Sequence, residues 1–196
     1  MNFFRRFKRA IGIFCHYYVK PDPDKLGLFA KDAALAVPCD LKKPQNIYLH
    51  EHARIGPKST IMTMGESRFV MKMHSGAAEG LVVITSNHYQ RKGTFRTGGN
   101  EDNLYRDIIV EEDVWLGMNV TLLPGAHIGR GAIVGAGAVV RDEIPPYAIA
   151  SGNPARVTGF KYSVKGILRH EAALYPEEMR FKPEELEQIF AKQKAE

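Results

Sequence analysis

The chain has 196 residues, of which 44% are hydrophobic and 25% are charged, and it carries a formal net charge of +5. This length is enough for one domain or for a trunk with appendages, and no apolar run approaches the roughly 20 residues that a membrane-spanning helix needs. The two cysteines, Cys15 and Cys39, exclude a disulfide-rich scaffold, and the positive charge favours an anionic partner: nucleic acid, lipid headgroups or a phosphorylated cofactor.

Residues 1–46 are interpreted as an N-terminal helical or irregular segment. One helical face of its first part is apolar, formed by Phe3, Phe7, Ile11, Phe14 and Tyr18. This face predicts either a helix packed on the rest of the protein or a helix on a membrane surface, and the pattern leaves both open. The apolar core is short and no small-residue cleavage site follows it, so we expect an uncleaved, cytoplasmic protein with an optional peripheral contact to the inner membrane through residues 1–18.

A six-residue spacing of apolar residues begins after this segment. Leu49, Ile55 and Ile61 are spaced six apart, and Val82–Thr85 is a further β-rich run. The spacing then breaks over residues 87–107, which are polar and rich in glycine and arginine. An excursion of about 20 residues without structure of its own is usually functional in a compact domain.

The strongest pattern lies between residues 110 and 144. Each six-residue repeat has an aliphatic residue and a second apolar residue four places later: Val110 and Val114, Leu116 and Val120, Leu122 and Ala126, Ile128 and Ala132, Val134 and Ala138, Val140 and Ile144. A helical stripe recurs every 3.6 residues, whereas a six-residue spacing fits short parallel strands stacked as the faces of a coiled prism. Glycines share two phases of this repeat, one containing Gly117 and one containing Gly131, and we expect both at tight corners with positive φ angles.

Residues 161–196 are interpreted as a C-terminal helical segment. Pro183 opens the run PEELEQIF, whose acidic residues in the first turn are typical of a helix start. We expect this segment to brace the prism and to carry no chemistry.

The run VWLGMNVTLLPGAHIGRGAIVGAGAVVRDEIPPYAIASGNPARV (residues 114–157) resembles the sugar and polysaccharide O-acetyltransferases of the hexapeptide-repeat superfamily. It is most similar to the maltose, galactoside and capsular-polysaccharide branch, and the resemblance covers about residues 47–160. It implies an all-β trunk, a left-handed parallel β-helix with an extruded loop at 87–107, assembled as a homotrimer with active sites between subunits. The implied reaction moves an acetyl group from acetyl-coenzyme A to a hydroxyl of a sugar or polysaccharide precursor, with no nucleic acid as partner.

The same resemblance suggests the acceptor side of the site. In this family a catalytic histidine ends a strand immediately before the extruded loop, and Ser86-Asn87-His88 stands at that point here. Histidine can accept a proton near neutral pH, so His88 is expected as general base for direct transfer in a ternary complex. Asn87 is expected to bind the substrate hydroxyl, and Glu101 and Asp102 are both candidates for the loop carboxylate that orients the histidine.

The resemblance also suggests the donor side. The pantetheine arm is expected beside the small residues Gly117 and Ala136, with the backbone N–H of Met118 at the thioester carbonyl, where negative charge develops. Trp115 matches an aromatic residue of the family. Three cations are expected near the phosphate end of the cofactor: Arg141, Arg156 and Lys161.

Other functions remain open on the sequence. The same trunk serves zinc-dependent carbonic anhydrases, which need three converging histidines, but the spacing of His74, His88 and His127 does not reproduce their signature, and no metal is expected. A repeat scaffold without catalysis is a second alternative. Among acetyltransferases, serine or an antibiotic hydroxyl could replace the sugar as acceptor.

Overall fold

The computed structural model describes residues 3–88 and 104–195 of the chain. The α-helices in this part are α1 (Phe3–Tyr18), α2 (Val164–Leu174) and α3 (Pro183–Ala195). Short 3-10 helices lie at Pro23–Lys25, Pro44–Asn46 and Glu177–Met179. The strands are, in chain order, β1 (Leu28–Phe29), β2 (Ala34–Leu35), β3 (Cys39–Lys42), β4 (Ile47–Leu49), β5 (Arg54–Ile55), β6 (Ser59–Met62), β7 (Phe69–Met71), β8 (Gly76–Ala77), β9 (Val82–Ile84), β10 (Ser86–Asn87), β11 (Leu104–Tyr105), β12 (Ile108–Val110), β13 (Trp115–Leu116), β14 (Thr121–Leu122), β15 (His127–Ile128), β16 (Ile133–Val134), β17 (Val139–Val140), β18 (Glu143–Ile144), β19 (Ala148–Ser151) and β20 (Arg156–Phe160).

Three parallel sheets form the sides of a prism, and the chain visits them in the same order in every coil. Face A consists of β1, β4, β7, β12, β15 and β18; face B of β2, β5, β8, β13, β16 and β19; face C of β3, β6, β9, β14 and β17. Ile109 pairs with His127, 18 residues further on, whereas Val70 pairs with Ile109, 39 residues further on. Eighteen residues are three repeats of six, so the longer step marks the coil from which residues 87–107 are extruded. The predicted left-handed parallel β-helix is confirmed.

The core of the prism consists of the residues that the repeat places inward. All twelve predicted positions between Val110 and Ile144 are buried, with at most 3% of their surface exposed. Leu49, Ile55 and Ile61 upstream are buried as well. Because full burial of a Val, Leu or Ile side chain contributes roughly 1.5–3 kcal/mol, this column of apolar side chains is the main source of stability of the trunk.

The glycines at the corners are required for two different reasons, a positive φ angle or a close approach of two coils. The sequence pattern predicts only the positive φ angles. Gly131 and Gly137 have the predicted positive φ angles, 69° and 71°. Gly117, of the other phase, is not among the residues with positive φ; a Cβ added there would lie 2.6 Å from the backbone nitrogen of Ala136. In that phase the residue must be small because two successive coils approach each other closely.

The trunk begins earlier than the sequence pattern indicates. β1, β2 and β3 pair in parallel with β4, β5 and β6, so residues 28–42 form the first coil and do not belong to a separate segment ending at residue 46. Leu28 pairs with Tyr48, a step of 20 residues, because the corner before β4 contains the 3-10 helix Pro44–Asn46. The extra residues obscure the six-residue period in this part of the sequence.

At the other end of the trunk the chain reverses and braces the last coil. β20 pairs antiparallel with β19, which covers the edge that this strand would otherwise expose. α3 begins at Pro183, as predicted, and the rings of Phe160 and Phe190 stack with their centroids 3.7 Å apart. Ile167 of α2 and Leu186 of α3 are fully buried in the small core that these helices form with the trunk.

The N-terminal helix α1 is attached to the trunk at its last turn. His16 Nε2 lies 2.8 Å from Oδ1 of Asp40, and the Tyr17 hydroxyl donates to the other oxygen of this carboxylate. The large apolar side chains of α1 are exposed, with 77% of Phe4 and 60% of Phe14 accessible. No helix in the described part of the chain is long and apolar enough to cross a bilayer.

Candidate active site

The loop predicted at residues 87–107 leaves the trunk at the corner between faces C and A, here called the C–A corner. Its two ends pair as the antiparallel strands β10 and β11, in which Asn87 lies opposite Leu104. His88 follows this pairing directly, and the side chains of Asn87 and His88 are both exposed. The predicted base and its neighbour therefore lie on the outside of the prism, where a substrate can reach them.

Buried hydroxyl groups hold the start of this loop in place. Thr85 is fully buried; its Oγ1 accepts a hydrogen bond of 3.0 Å from the backbone N–H of Met64 and lies 2.6 Å from Oγ of Ser67. The carbonyl of Thr85 accepts from the N–H of Arg106 on the returning strand, at 3.0 Å. No motif in the sequence marks this network. Its indication there is Thr85 itself, a hydroxyl residue at a position where the repeat predicts an aliphatic one.

A charged pair closes the other end of the loop. The Asp107 carboxylate accepts hydrogen bonds from the backbone N–H of Arg68 at 2.8 Å, from Nε at 3.0 Å and from Nη2 at 2.7 Å. Such a two-pronged guanidinium–carboxylate contact fixes orientation as well as distance. Glu101 and Asp102, the two predicted partners of the histidine, lie outside the described residues.

The predicted donor residues meet at the corner between faces B and C, here called the B–C corner. The N–H of Gly137 donates to the carbonyl of Met118 at 2.8 Å, which stacks the two coils. The side chains of Met118 and Ala136 are exposed, and Gly117 lies between them in the stack. The corner is thus a narrow ridge of small residues that a flexible chain can approach closely.

Two of the three predicted cations lie together at the end of the trunk. Arg141 and Arg156 line one cavity of about 380 Å³ between the last coil and α3. Lys192 of α3 lines the same cavity, and no pattern in the sequence marks it. Ser151 on β19 is the strand partner of Arg156 on β20, and it lies against Gly135 at the B–C corner. The B–C corner therefore leads towards the cavity that Arg156 lines.

The third cation is elsewhere. Lys161 lines a cavity of about 490 Å³ together with Trp115, and its Nζ lies 3.2 Å from Oδ2 of Asp113. The Trp115 ring, which is 52% exposed, rests on Gly76, where an added Cβ would be 3.0 Å from the ring. Lys161 therefore does not join the arginines, because it lies beside an aromatic surface in a separate cavity.

The two predicted halves of the site lie on opposite edges of face C. The N–H of Asn119, next to Met118, donates to the carbonyl of Glu79 at one edge, and Thr85, just before His88, lies at the other. Six residue steps lead from Glu79 to Thr85, and at roughly 3.3 Å per residue they span at most about 20 Å. In one chain, the predicted base and the Met118 amide therefore lie at different corners of the prism.

The three histidines of the carbonic anhydrase alternative are distributed around the trunk. His74 lies at the corner between faces A and B, and His127 on face A has its Nε2 3.0 Å from the Glu111 carboxylate. Burial would raise the pKa of Glu111, but hydrogen bonds from Lys72 and His127 outweigh it and hold the pKa below its ordinary value of 4.5. In the part of the chain that the structure describes, no group of three or more His, Cys, Asp or Glu side chains could hold a metal ion.

Similar sequences carry the same repeat. The family model of the bacterial transferase hexapeptide (six repeats) matches residues 107–142. A protein of Staphylococcus aureus (strain Mu50) named "putative acetyltransferase" is 28% identical over 64% of this chain and 61% of its own. The chain thus spans about 61% of the length of the curated relative that it matches.

Solved structures share the fold at lower identity. A hexapeptide-repeat acetyltransferase from Vibrio cholerae, solved with acetyl-coenzyme A, has a TM-score of 0.66 at 19% identity, over 80% of this chain and 87% of that one. A galactoside acetyltransferase solved with coenzyme A also has a TM-score of 0.66, at 18% identity, over 91% of this chain and 88% of that one. At this identity the likeness establishes the fold.

Proposed function

We propose that the chain is an acyltransferase of the hexapeptide-repeat kind and that it transfers an acetyl group from acetyl-coenzyme A to a hydroxyl of a sugar or polysaccharide precursor. The observation that carries this proposal is the exposed His88 at the base of the extruded loop, held there by the buried Thr85 network. The two relatives solved with coenzyme A or its acetyl ester support the choice of donor.

In the proposed reaction His88 is the general base. Its imidazole takes the proton of the acceptor hydroxyl as the oxygen attacks the thioester carbonyl, and a new C–O bond forms. The C–S bond then breaks, the acetyl ester is released, and coenzyme A leaves as a thiol after taking back a proton. Both substrates are bound together, so no covalent enzyme intermediate forms.

The donor side of the proposed site runs from the B–C corner to the end of the trunk. The Met118 N–H would stabilise the oxyanion that forms at the carbonyl, beside Gly117 and Ala136. The arginine pair Arg141 and Arg156 would bind the phosphates of the cofactor. We leave Lys161 out of this phosphate site because it lines a different cavity from the two arginines; Trp115, which lines that cavity too, remains a proposed contact.

We propose that the active site forms between two chains of a homotrimer. In one chain His88 lies at the C–A corner and the Met118 amide at the B–C corner, whereas a base must lie within about 3 Å, or one bridging water, of the proton that it takes. An adjacent copy that presents its B–C corner to the C–A corner of the first would bring the two groups together.

The acceptor would lie at the base of the extruded loop. Asn87 is exposed next to His88 and would donate to or accept from a sugar hydroxyl. Glu101 or Asp102 would orient the imidazole from the loop. Serine or an antibiotic hydroxyl remains the alternative acceptor, and a panel of acceptors in an assay of thiol release separates them.

The first test is His88→Ala in that assay. Loss of a general base lowers kcat by about 10²–10⁴-fold, while coenzyme A binding measured by calorimetry stays unchanged because the residues proposed to bind the donor are all retained. His50→Ala, which removes a part-exposed histidine from a different corner, is the matched control and keeps full activity. Turnover of His88→Ala near that of the wild type would refute the assignment, and a chain that binds no coenzyme A would favour a scaffold.

A further inference from the structure

The helix α1 has two sharply different faces. Five of its apolar side chains are 47% to 77% exposed and share one side of the helix: Phe4, Phe7, Ile11, Phe14 and Tyr18. These positions follow the helical spacing of three and four residues, so they form one continuous stripe. A stripe of this size on a helix outside the core marks an interaction surface.

The opposite side of α1 carries all of its cations, with Ile13 as an exposed apolar residue among them. Arg5, Arg6, Lys8 and Arg9 all lie in its first half, and the helix contains no acidic residue. The charge therefore selects for an anionic partner and disfavours contact between two copies of α1, which would bring like charges together.

The attachment to the trunk determines which face points outward. His16, which bonds to Asp40, is spaced seven residues from Arg9 and eleven from Arg5, and so lies on the basic side of the helix. The trunk contacts α1 at its last turn, where Tyr18 also borders a cavity beside Asp40, and the stripe from Phe4 to Phe14 is exposed on the rest of the helix.

From these observations we propose that α1 is a peripheral membrane helix that binds the surface of an anionic lipid bilayer. Its aromatic and aliphatic side chains would enter the boundary between headgroups and acyl chains, and the four cations would contact the anionic headgroups. No described helix can cross a bilayer, so this contact is confined to one surface. The proposal does not depend on acetyl transfer, since it rests on α1 and its attachment alone.

The test is co-sedimentation of the full-length protein with vesicles of phosphatidylcholine alone or mixed with phosphatidylglycerol. We expect binding to the mixed vesicles only, and weaker binding at high salt because screening reduces the attraction between the cations and the headgroups. The variant Phe7→Ser/Phe14→Ser abolishes sedimentation. The variant Arg5→Gln/Arg6→Gln/Lys8→Gln weakens it by roughly fivefold for each cation removed.

Matched controls lie on α2. Leu174→Ser removes an exposed apolar side chain, and Lys165→Gln/Arg169→Gln removes two exposed cations, without touching α1. Both leave vesicle binding unchanged. An environment-sensitive dye on Cys15, the exposed one of the two free cysteines, reports the same insertion as a blue shift in emission.

Three results would overturn the proposal: absence of binding to the mixed vesicles, equal binding to both kinds of vesicle, or equal losses in the α1 variants and the α2 controls. Sedimentation velocity without lipid provides a further check. If Phe7→Ser/Phe14→Ser dissociates an oligomer, the stripe packs against a second copy of the chain and the membrane assignment is wrong.

Discussion

At the residue scale, the candidate base depends on a neighbour that has no chemistry of its own. Thr85 is buried three residues before His88, and its side chain and carbonyl bond to both sides of the C–A corner. A buried N–H left without its acceptor costs about 1–3 kcal/mol, so the hydroxyl is not replaceable by a methyl of the same shape. We therefore expect Thr85 to act as a positioning residue for the imidazole of His88.

The variant Thr85→Val tests this role. We expect a loss of about 1–3 kcal/mol in the free energy of unfolding, because Met64 N–H loses its acceptor. We also expect a lower kcat with an unchanged KM for acetyl-coenzyme A, since the donor corner is untouched. Urea unfolding and steady-state kinetics measure the two effects. Thr121→Val, on the outward side of the same face, is the control; equal kinetics in the two variants would contradict the role.

At the scale of elements, the C-terminal helices are held to the trunk by one buried carboxylate. Glu171 of α2 is fully buried; it accepts from the Tyr147 hydroxyl and, at 3.1 Å, from Nη1 of Arg130. Burial, together with the hydrogen bond to Glu171, raises the pKa of Tyr147 well above its usual value, so the phenol stays a donor. The Arg130 guanidinium also lies 4.3 Å from the ring centre of Tyr175.

We predict that Glu171→Ala releases α2 and α3 from the last coil. Removing one partner of a buried ion pair costs about 3–5 kcal/mol when the other charge is left unpaired, and the cost here is smaller because Arg130 keeps Glu112 at 3.3 Å from its Nε. Hydrogen exchange should show faster exchange in residues 164–195 and unchanged protection in β12–β17. Glu178→Ala, which removes an exposed carboxylate, is the control. Slow exchange of α2 in the Glu171 variant would contradict the prediction, because it would show that apolar packing alone holds these helices to the trunk.

At the scale of the whole molecule, the prism places the two halves of the proposed site on different edges of one face. A single chain would then be inactive by itself, and activity would require an assembly that joins the C–A corner of one copy to the B–C corner of another. The exposed α1 would attach this assembly to a bilayer, where a lipid-linked sugar would be available as acceptor.

Co-expression of two inactive variants tests the shared site. His88→Ala lacks the base, and Ala136→Phe fills the exposed donor corner with a bulky ring. In randomly mixed trimers about half of the chains have an intact histidine and about half have an intact donor corner. About one site in four therefore combines the two from neighbouring chains, so about a quarter of the activity should return.

Neither variant is active by itself, and Ala136→Ser is the control that keeps full activity. If the mixture stays inactive although mixed oligomers form, both groups belong to the same chain and the intersubunit site is refuted.

The sequence by itself determined the features that repeat or that are local. Each six-residue unit contacts only its neighbours in the next coils, so the period predicted the inward column from Val110 to Ile144 and a prism of stacked parallel strands. The break in the period marked the loop that follows His88, and the left-handed sense of the coil was implied by the family resemblance. The amphipathic α1 was likewise readable from helical spacing alone. Insertions at the corners obscured this signal in the first coil, which starts at Leu28.

Only the tertiary structure decided which distant residues meet. Lys192 joins Arg141 and Arg156 while Lys161 pairs with Asp113, because the chain reverses after β19 and brings α3 back onto the last coil. The same holds for the buried network at Thr85. These contacts depend on insertions, reversals and helix docking, which have no period in the sequence.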